Sequence, residues 1–169
     1  INAKYEIGNY GIRFYYKNNM KATDIVTASH PGFMTDWQPL WSILATQCLG
    51  VSSIIESVHL NRFQYVPYLL KMGAKIEYFR PKIDNPDSFY NFNLKDNKNK
   101  FYHGIKITGP TELKASKAKV LDLRAGATLV LAALIAKGKT ILSDVEHIDR
   151  GYENLDRRLV NLGAKITRI

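Results

Sequence analysis

The chain is poor in residues that would cross-link it or hold it in a bilayer. Its single cysteine, Cys48, excludes an intrachain disulfide. No apolar run approaches the roughly 18 residues of a spanning helix; the longest, residues 127–136, reads as a core helix. No stretch has the pattern of a signal peptide. A chain that opens on Ile1 without a Met is expected to be a fragment or a processed product, of a soluble intracellular protein. His30, His59, His103 and His147 lack metal-ligand spacing, so no metal is assigned. No glycine-rich phosphate loop of the P-loop or dinucleotide type is present. Acid is scarce as well: 15 Asp and Glu stand against 24 Lys and Arg, a net charge of +9. That excess favours an anionic partner, whether nucleic acid, an acidic membrane surface or a phosphorylated small molecule. The lysines are spread along the chain, with one modest cluster at 95–100.

What is present suffices for one well-buried domain: 169 residues, 46% hydrophobic and 11% aromatic. Residues 1–30 have an irregular pattern, with strands expected at 10–16 and 22–28 and a turn at Lys17, Asn18, Asn19 and Met20. Trp37, Leu40, Trp41, Leu44 and Cys48 recur at spacings of three and four, one face of a helix that Asp36 caps, Pro39 enters in its first turn and Gly50 ends. Residues 53–58 read as a strand. Asn61 is placed to cap a second helix, with Pro67 in its first turns and Val66, Leu69, Leu70 and Met72 on its apolar side; Gly73 stops it before a strand at 74–79. The polar residues 81–100 read as an extended loop or loose hairpin with strand pieces near 89–92. A strand follows at 101–107.

The plan then repeats. Asp122 opens a helix over 123–136 that is apolar nearly all round and therefore expected to be deeply buried. A strand at 140–145 follows, then a helix capped by Asp149 with a buried stripe of Tyr152, Leu155, Leu159 and Leu162, and a last strand at 164–169. Gly50 to Arg62 and Gly138 to Arg150 both span 12 positions, and Gly-Ala-Lys-Ile occurs at 73–76 and 163–166. Repetition at this period indicates stacked supersecondary units sharing a core. Strands alternating with helices indicate an α/β fold with a parallel or mixed sheet. The expected organisation is lead-in strands over 1–30, a first unit over 31–110 and a second over 111–169.

Several residues carry chemistry in this frame. Asp36 and Asp122 are N-caps or positioned carboxylates; Asp36 follows the rigid segment His30-Pro31-Gly32-Phe33-Met34-Thr35 and is placed to accept a proton. Asp122 with Arg124 either locks neighbouring elements or orients an anion. Arg62 and Arg150 occupy the same place in both units. An Arg at a helix start opposes the dipole, so it serves either a bound anion or an ion pair with a neighbouring loop. Cys48 reads as a structural residue on a helix face.

The segment from Thr27 through Pro31-Gly32-Phe33-Met34-Thr35-Asp36-Trp37-Gln38 resembles the Pro-Gly-Phe-Pro-Thr-Asp-x-Gln segment of the UDP-N-acetylglucosamine 1-carboxyvinyltransferases, the enolpyruvyl transferases of peptidoglycan synthesis. Asn61-Arg62-Phe63 with Met72-Gly73-Ala74, then Asp122-Leu123-Arg124-Ala125-Gly126-Ala127, then His147-Ile148-Asp149-Arg150-Gly151-Tyr152-Glu153 follow in the family's order, from about residue 22 to the end. The resemblance implies repeated βαβαββ units of the enolpyruvyl transferase inside-out α/β barrel, about two of the three units of one domain. It implies a bacterial, cytoplasmic transferase that moves the enolpyruvyl group of phosphoenolpyruvate to the 3′-hydroxyl of UDP-N-acetylglucosamine and releases phosphate, without a cofactor. By resemblance Asp36 takes the sugar hydroxyl proton, Val58 lines the UDP-sugar site with Arg62 close by, Asp122, Leu123 and Arg124 belong to the same cleft, and Arg150 contacts phosphoenolpyruvate. Met34 stands where the family usually has Pro, and Pro39 follows Gln38. The family's other domain, with its reactive Cys loop, has no counterpart here, so the chain alone is expected to be inactive and is open to forming a homodimer. The alternatives are a non-catalytic nucleotide-sugar or anion-binding module derived from this fold, and a basic nucleic-acid-binding domain.

Overall fold

A computed structural model describes residues 1–16, 20–97 and 100–169; the turn expected at Lys17, Asn18 and Asn19 lies outside the described residues. Strands β1 (Lys4–Gly8) and β2 (Gly11–Tyr15) form an antiparallel hairpin, so the first residues are more regular than their pattern indicates. After β3 (Ile25–Val26), in the lead-in, the first unit runs α1 (Gln38–Thr46), β4 (Gly50–Ile55), a 3₁₀ turn (Phe63–Tyr65), α2 (Val66–Lys71) and β5 (Lys75–Phe79). Next come the one-turn helix α3 (Pro86–Phe89), a 3₁₀ turn (Leu94–Asn97) and β6 (Gly104–Gly109). Its sheet has the order β3-β4-β6-β5, with β3 parallel to β4 and β6 antiparallel to both neighbours. The second unit comprises β7 (Lys117–Lys119), α4 (Leu123–Ile135), β8 (Ile141–Ser143), the one-turn α5 (Glu146–Asp149) and α6 (Leu155–Asn161), with β7 parallel to β8.

One core joins the units. Ile54, Ile105 and Ile107 point from the four-stranded sheet, Val66, Leu69 and Met72 from the α2 segment, and Ala125 and Ala132 from α4. Each large aliphatic buried this way contributes about 1.5–3 kcal/mol. Period-two alternation is clear in β6, where Ile105 and Ile107 are buried and Lys106 and Thr108 exposed.

Several expectations are corrected. The buried face of α1 is not the Trp37, Leu40, Trp41, Leu44 stripe but Gln38, Ser42, Ile43, Ala45 and Thr46. This face packs against α4 and β6, where close approach favours small side chains. Gln38 Nε2 donates to Tyr65 Oη at 2.9 Å and Ser42 Oγ shares a hydrogen bond with the same oxygen at 2.6 Å, while Gln38 Oε1 is buried without a partner among the described residues. The stripe is only partly covered; Phe33 meets Trp37 and Trp41 edge-on at 5.8 and 5.4 Å. Cys48 is buried as expected but lies just beyond α1. Leu70 is exposed, unlike its neighbours Val66, Leu69 and Met72. Residues 89–92 form no strand; α3 ends at Phe89 and residues 90–92 are irregular.

The second unit departs further. Helix α4 buries one side only, and Leu131, Leu134 and Ile135 are exposed. The stripe on α6 is half-buried at best, with Leu162 open to solvent. Residues 164–169 form no strand despite opening on the same Gly-Ala-Lys-Ile as β5. The reason is pairing. In the first unit β5 bonds only to β6, which lies between it and β4. In the second, a cavity of about 670 Å³ lined by Ile141, Leu142, Val145, Leu155 and Ile166 separates β8 from residues 164–169, and no counterpart of β6 exists among the described residues. Without a neighbour, backbone amides gain nothing from extension into a strand.

Gly109 is where β6 meets the end of α1. A Cβ there would stand 2.7 Å from the Thr46 carbonyl and 2.9 Å from that of Ala45, both backbone atoms. Gly109→Ala is therefore expected to lower stability by about 2–3 kcal/mol, read as a fall in the urea midpoint. Gly8→Ala, whose new Cβ would meet nothing closer than 3.8 Å, is the control. Equal midpoints for the two variants would contradict the packing described.

Candidate active site

The loop before α1 is closed by its own backbone: Ala28 N donates to Phe33 O at 2.9 Å, and Trp37 N donates to Met34 O at 3.0 Å. It projects Asp36 toward the second unit. Asp36 does not cap α1, whose N-cap is Trp37 with no side-chain bond. Instead Arg124 Nε donates to Asp36 Oδ1 at 2.7 Å, and an Arg62 terminal nitrogen lies 3.6 Å from the same oxygen. The second oxygen, Oδ2, has no hydrogen bond among the described residues. The Arg124 guanidinium beside it holds the Asp36 carboxyl below the usual carboxylate range; partial burial opposes this, and Arg62 and His59 reinforce it.

Asp122 is the N-cap of α4, accepting from the backbone amides of Arg124 at 2.8 Å and Ala125 at 2.9 Å. It thus fixes Arg124 through the main chain, while the guanidinium crosses to Asp36. Sequence reasoning paired the two side chains; the structure pairs Arg124 with the other unit. Leu123 packs at Gly151, where an added Cβ would meet its Cδ2 at 2.7 Å.

Arg62 is not in a helix but precedes the 3₁₀ turn, and Asn61 caps nothing. Its side chain is 10% exposed, and its Nε donates to Thr35 Oγ1 at 3.0 Å. Of the two readings of this Arg, an ion pair with a neighbouring loop is the one formed. Val58 is half-buried, and its backbone amide donates to Glu56 Oε1 at 2.9 Å. Arg150 is the exception. It follows the last residue of α5 rather than opening a helix, is exposed, and makes no ion pair among the described residues. Asp149 likewise caps no helix; it closes α5 and pairs with Arg168 at 2.8 Å, which holds its carboxyl low.

Three contributors escaped sequence reasoning. Thr35 and Glu56 connect Arg62 to the core, and His59 faces Arg62, with partial desolvation of its ring and that guanidinium lowering its pKa. Only Glu56 left a signal, as a charge inside the apolar run 54–58. Among the described residues no group of His, Cys, Asp and Glu is placed to hold a metal ion, and no helix is long and apolar enough to cross a membrane.

The α/β fold thus holds Asp36 between Arg62 and Arg124 where the two parts of the chain meet. The family model for EPSP synthase (3-phosphoshikimate 1-carboxyvinyltransferase) matches residues 2–159, and the chain belongs to that family. Within it, the chain is similar to UDP-N-acetylglucosamine 1-carboxyvinyltransferases: 41% identical to one from Caldanaerobacter subterraneus over 94% of this chain, and 38% to that of Helicobacter pylori over 100%. It spans about a third of these relatives, 33% and 35% of their lengths. Among solved structures it is similar to the enolpyruvyl transferase NikO from Streptomyces tendae, with a TM-score of 0.77 and 26% identity over 98% of this chain and 33% of that one. EPSP synthase from Acinetobacter baumannii shares the fold, at TM-score 0.53 and 18% identity over 88% of this chain and 32% of that one.

Two substitutions test the site's geometry. Arg124→Ala is expected to raise the Asp36 carboxyl titration, followed by carbon NMR, toward the ordinary carboxylate value. A depressed folded-state pKa stabilises above the unfolded-state value, and that contribution is lost as pH falls through the folded value. The stability difference from wild type should thus be full at neutral pH and close on the acid side. Asp122→Ala should cost about 1 kcal/mol through the lost cap. An unmoved Asp36 titration in Arg124→Ala would contradict the ion pair.

Proposed function

We propose that this chain supplies one wall of the active site of a UDP-N-acetylglucosamine 1-carboxyvinyltransferase, in which the enolpyruvyl group of phosphoenolpyruvate passes to the sugar 3′-hydroxyl and phosphate leaves. The two units, residues 31–110 and 111–169 behind the lead-in of 1–30, are read as about two of the three units of one domain. The observation that carries the reading is Asp36: both arginines engage Oδ1, and Oδ2 is left to accept a proton. The hydroxyl oxygen adds to the phosphate-bearing carbon of the double bond as the methylene carbon gains a proton, giving a tetrahedral intermediate; loss of phosphate from the first carbon and of a proton from the second restores the double bond and completes the transfer. Asp36 takes the hydroxyl proton as general base. Val58, Arg62, Asp122, Leu123 and Arg124 form the sugar-nucleotide side of the cleft, and Arg150 faces phosphoenolpyruvate. Substrate phosphates near Arg62 and Arg124 offset the positive charge that lowers the Asp36 carboxyl, so binding itself makes Asp36 a better base. The surrounding cations supply charge where two phosphorylated substrates meet, without a cofactor. The opposite wall belongs to the rest of the enzyme, whose expected setting is the bacterial cytoplasm.

The experiment is kinetic, in the full-length enzyme that contains this chain. Asp36→Asn should lower kcat by about 100-fold or more with the thermal midpoint unchanged; near-normal turnover would remove Asp36 from the base role. Arg150→Ala should raise KM for phosphoenolpyruvate more than for the UDP-sugar, and equal effects would contradict its placement. Sugar-nucleotide binding by an assembled enzyme without turnover would favour a non-catalytic binding module instead.

A further inference from the structure

Glu56 is 1% exposed, and four donors converge on its carboxylate. Oε1 accepts from Thr27 Oγ1, Val58 N and His59 N, each at 2.9 Å. Oε2 accepts from Thr35 Oγ1 at 2.9 Å. Thr35 is the neighbour of Asp36, and its oxygen in turn accepts from Arg62 Nε at 3.0 Å. Proton positions in this chain follow from chemistry. A guanidinium only donates and an ionised carboxylate only accepts. The Thr35 hydroxyl proton therefore points to Glu56, leaving its lone pairs for Arg62. Reversing the Thr35 hydroxyl would set its proton against the Arg62 N–H.

We infer that Glu56 is a positioning residue for the Asp36 base, acting through Thr35: by holding the Thr35 proton it makes that oxygen an acceptor for Arg62 and keeps the guanidinium beside Asp36. The inference rests on the proposed transferase reading for its kinetic consequence, and on the hydrogen-bond chain alone for its structural one.

Glu56→Gln separates polarity from shape. Three donors meet the Oε1 position, so the amide oxygen must occupy it, and the amide nitrogen then faces Thr35. Thr35 would receive two donors, and its own proton would lose its acceptor. Both lone pairs of the Thr35 oxygen are then claimed and its proton must turn away, so the hold on Arg62 loosens although nothing has changed in volume. The groups facing Asp36 are Arg124 from α4 and Arg62 and His59 from the segment after β4, with the Asp122 carboxylate behind Arg124. Loss of Arg62 from this set removes positive charge, so Asp36 binds its proton more tightly and the acid limb of the rate profile moves to higher pH.

The test uses Glu56→Gln, Thr35→Val, Thr35→Ser and the Glu56→Gln/Thr35→Val double variant in the full-length enzyme. Glu56→Gln and Thr35→Val should each lower kcat by about tenfold, with smaller changes in KM, and shift the acid limb of kcat/KM upward. Thr35→Ser should retain the wild-type profile, and the double variant should be no worse than Thr35→Val. Carbon NMR of the Asp36 carboxyl and the Arg62 Nε–H resonance, without substrate, should both move in the first two variants. Absence of enolpyruvyl transfer by the wild-type enzyme would sink the proposed function while leaving this NMR comparison decisive for the relay. Unmoved Asp36 and Arg62 signals, or additive losses in the double variant, would overturn the relay. Should Glu56→Gln fail to fold, Thr35→Val reads the same two signals.

Discussion

Each oxygen of a buried carboxyl must be met by hydrogen-bond partners, because leaving one unpaired is costly. Glu56 meets that demand with two threonine hydroxyls and two backbone amides. The donors come from three places: the end of β3, the loop before α1, and the turn after β4. Satisfying one charge therefore fixes three segments against each other. Ser57 adds to the same knot, donating through its amide to Thr27 Oγ1 at 2.8 Å and through its hydroxyl to Thr27 O at 2.6 Å. The loop that carries Asp36 is thus tied at both ends to the edge of the four-stranded sheet. A loop with only backbone turns to hold it would not aim a side chain to the tolerance that chemistry needs.

The second constraint is the meeting of the units. Helix α4 comes close to α1 because it offers Ala125, Ala127, Thr128 and Ala132 rather than bulky side chains. Gly126, on the same helix, lies so close to Ile148 and Val120 that a Cβ would stand 2.6 and 2.8 Å from their side chains. With the α4 start fixed by its Asp122 cap, the Arg124 guanidinium has a short path to Asp36, a partner 88 positions away in sequence. That ion pair is partly exposed, with side-chain accessibilities of 41% and 51%, so its direct contribution to stability is small. Its effect is electrostatic and local: it sets the charge state of Asp36 and occupies one of its two oxygens.

Local punctuation of the chain was legible in sequence, and tertiary partners were not. Asp122, Pro39, Pro67 and Gly73 do what their residue types indicate, because caps, first-turn prolines and positive-φ glycines depend on a few neighbouring atoms. The buried face of α1 was misread because Trp37 and Leu40 are hydrophobic, whereas Gln38, Ser42 and Thr46 are buried by virtue of hydrogen bonds that periodicity does not register. The final strand was misread for a different reason. Residues 164–169 have the composition of β5, but a strand is a property of a pair, and the pairing partner of β5 is β6. At the junction, Asp36, Arg62, Asp122 and Arg124 stand out from motif and spacing, but their connectivity does not. Asp122 was paired with Arg124 by proximity in sequence, yet one is a cap and the other reaches across the fold. Thr35 and Glu56 escaped notice as functional residues because a threonine in a loop and a glutamate in a strand are individually ordinary.

The charged residues at the unit junction divide by how much freedom they have already lost. Arg62 is nearly enclosed and hydrogen-bonded to Thr35, and Arg124 is bound to Asp36 from a capped helix start. Arg150 is exposed on the end of a one-turn helix, followed by α6, which buries none of its residues. Ordering a long side chain costs up to about 2 kcal/mol, and Arg62 and Arg124 have met that cost in folding. An anion arriving at their side of the cleft meets preorganised donors, whereas one arriving at Arg150 must order its own. Under the transferase reading the first side is the sugar-nucleotide side and the second the phosphoenolpyruvate side. The two sides of the junction thus differ in how much order a ligand must still impose on the chain.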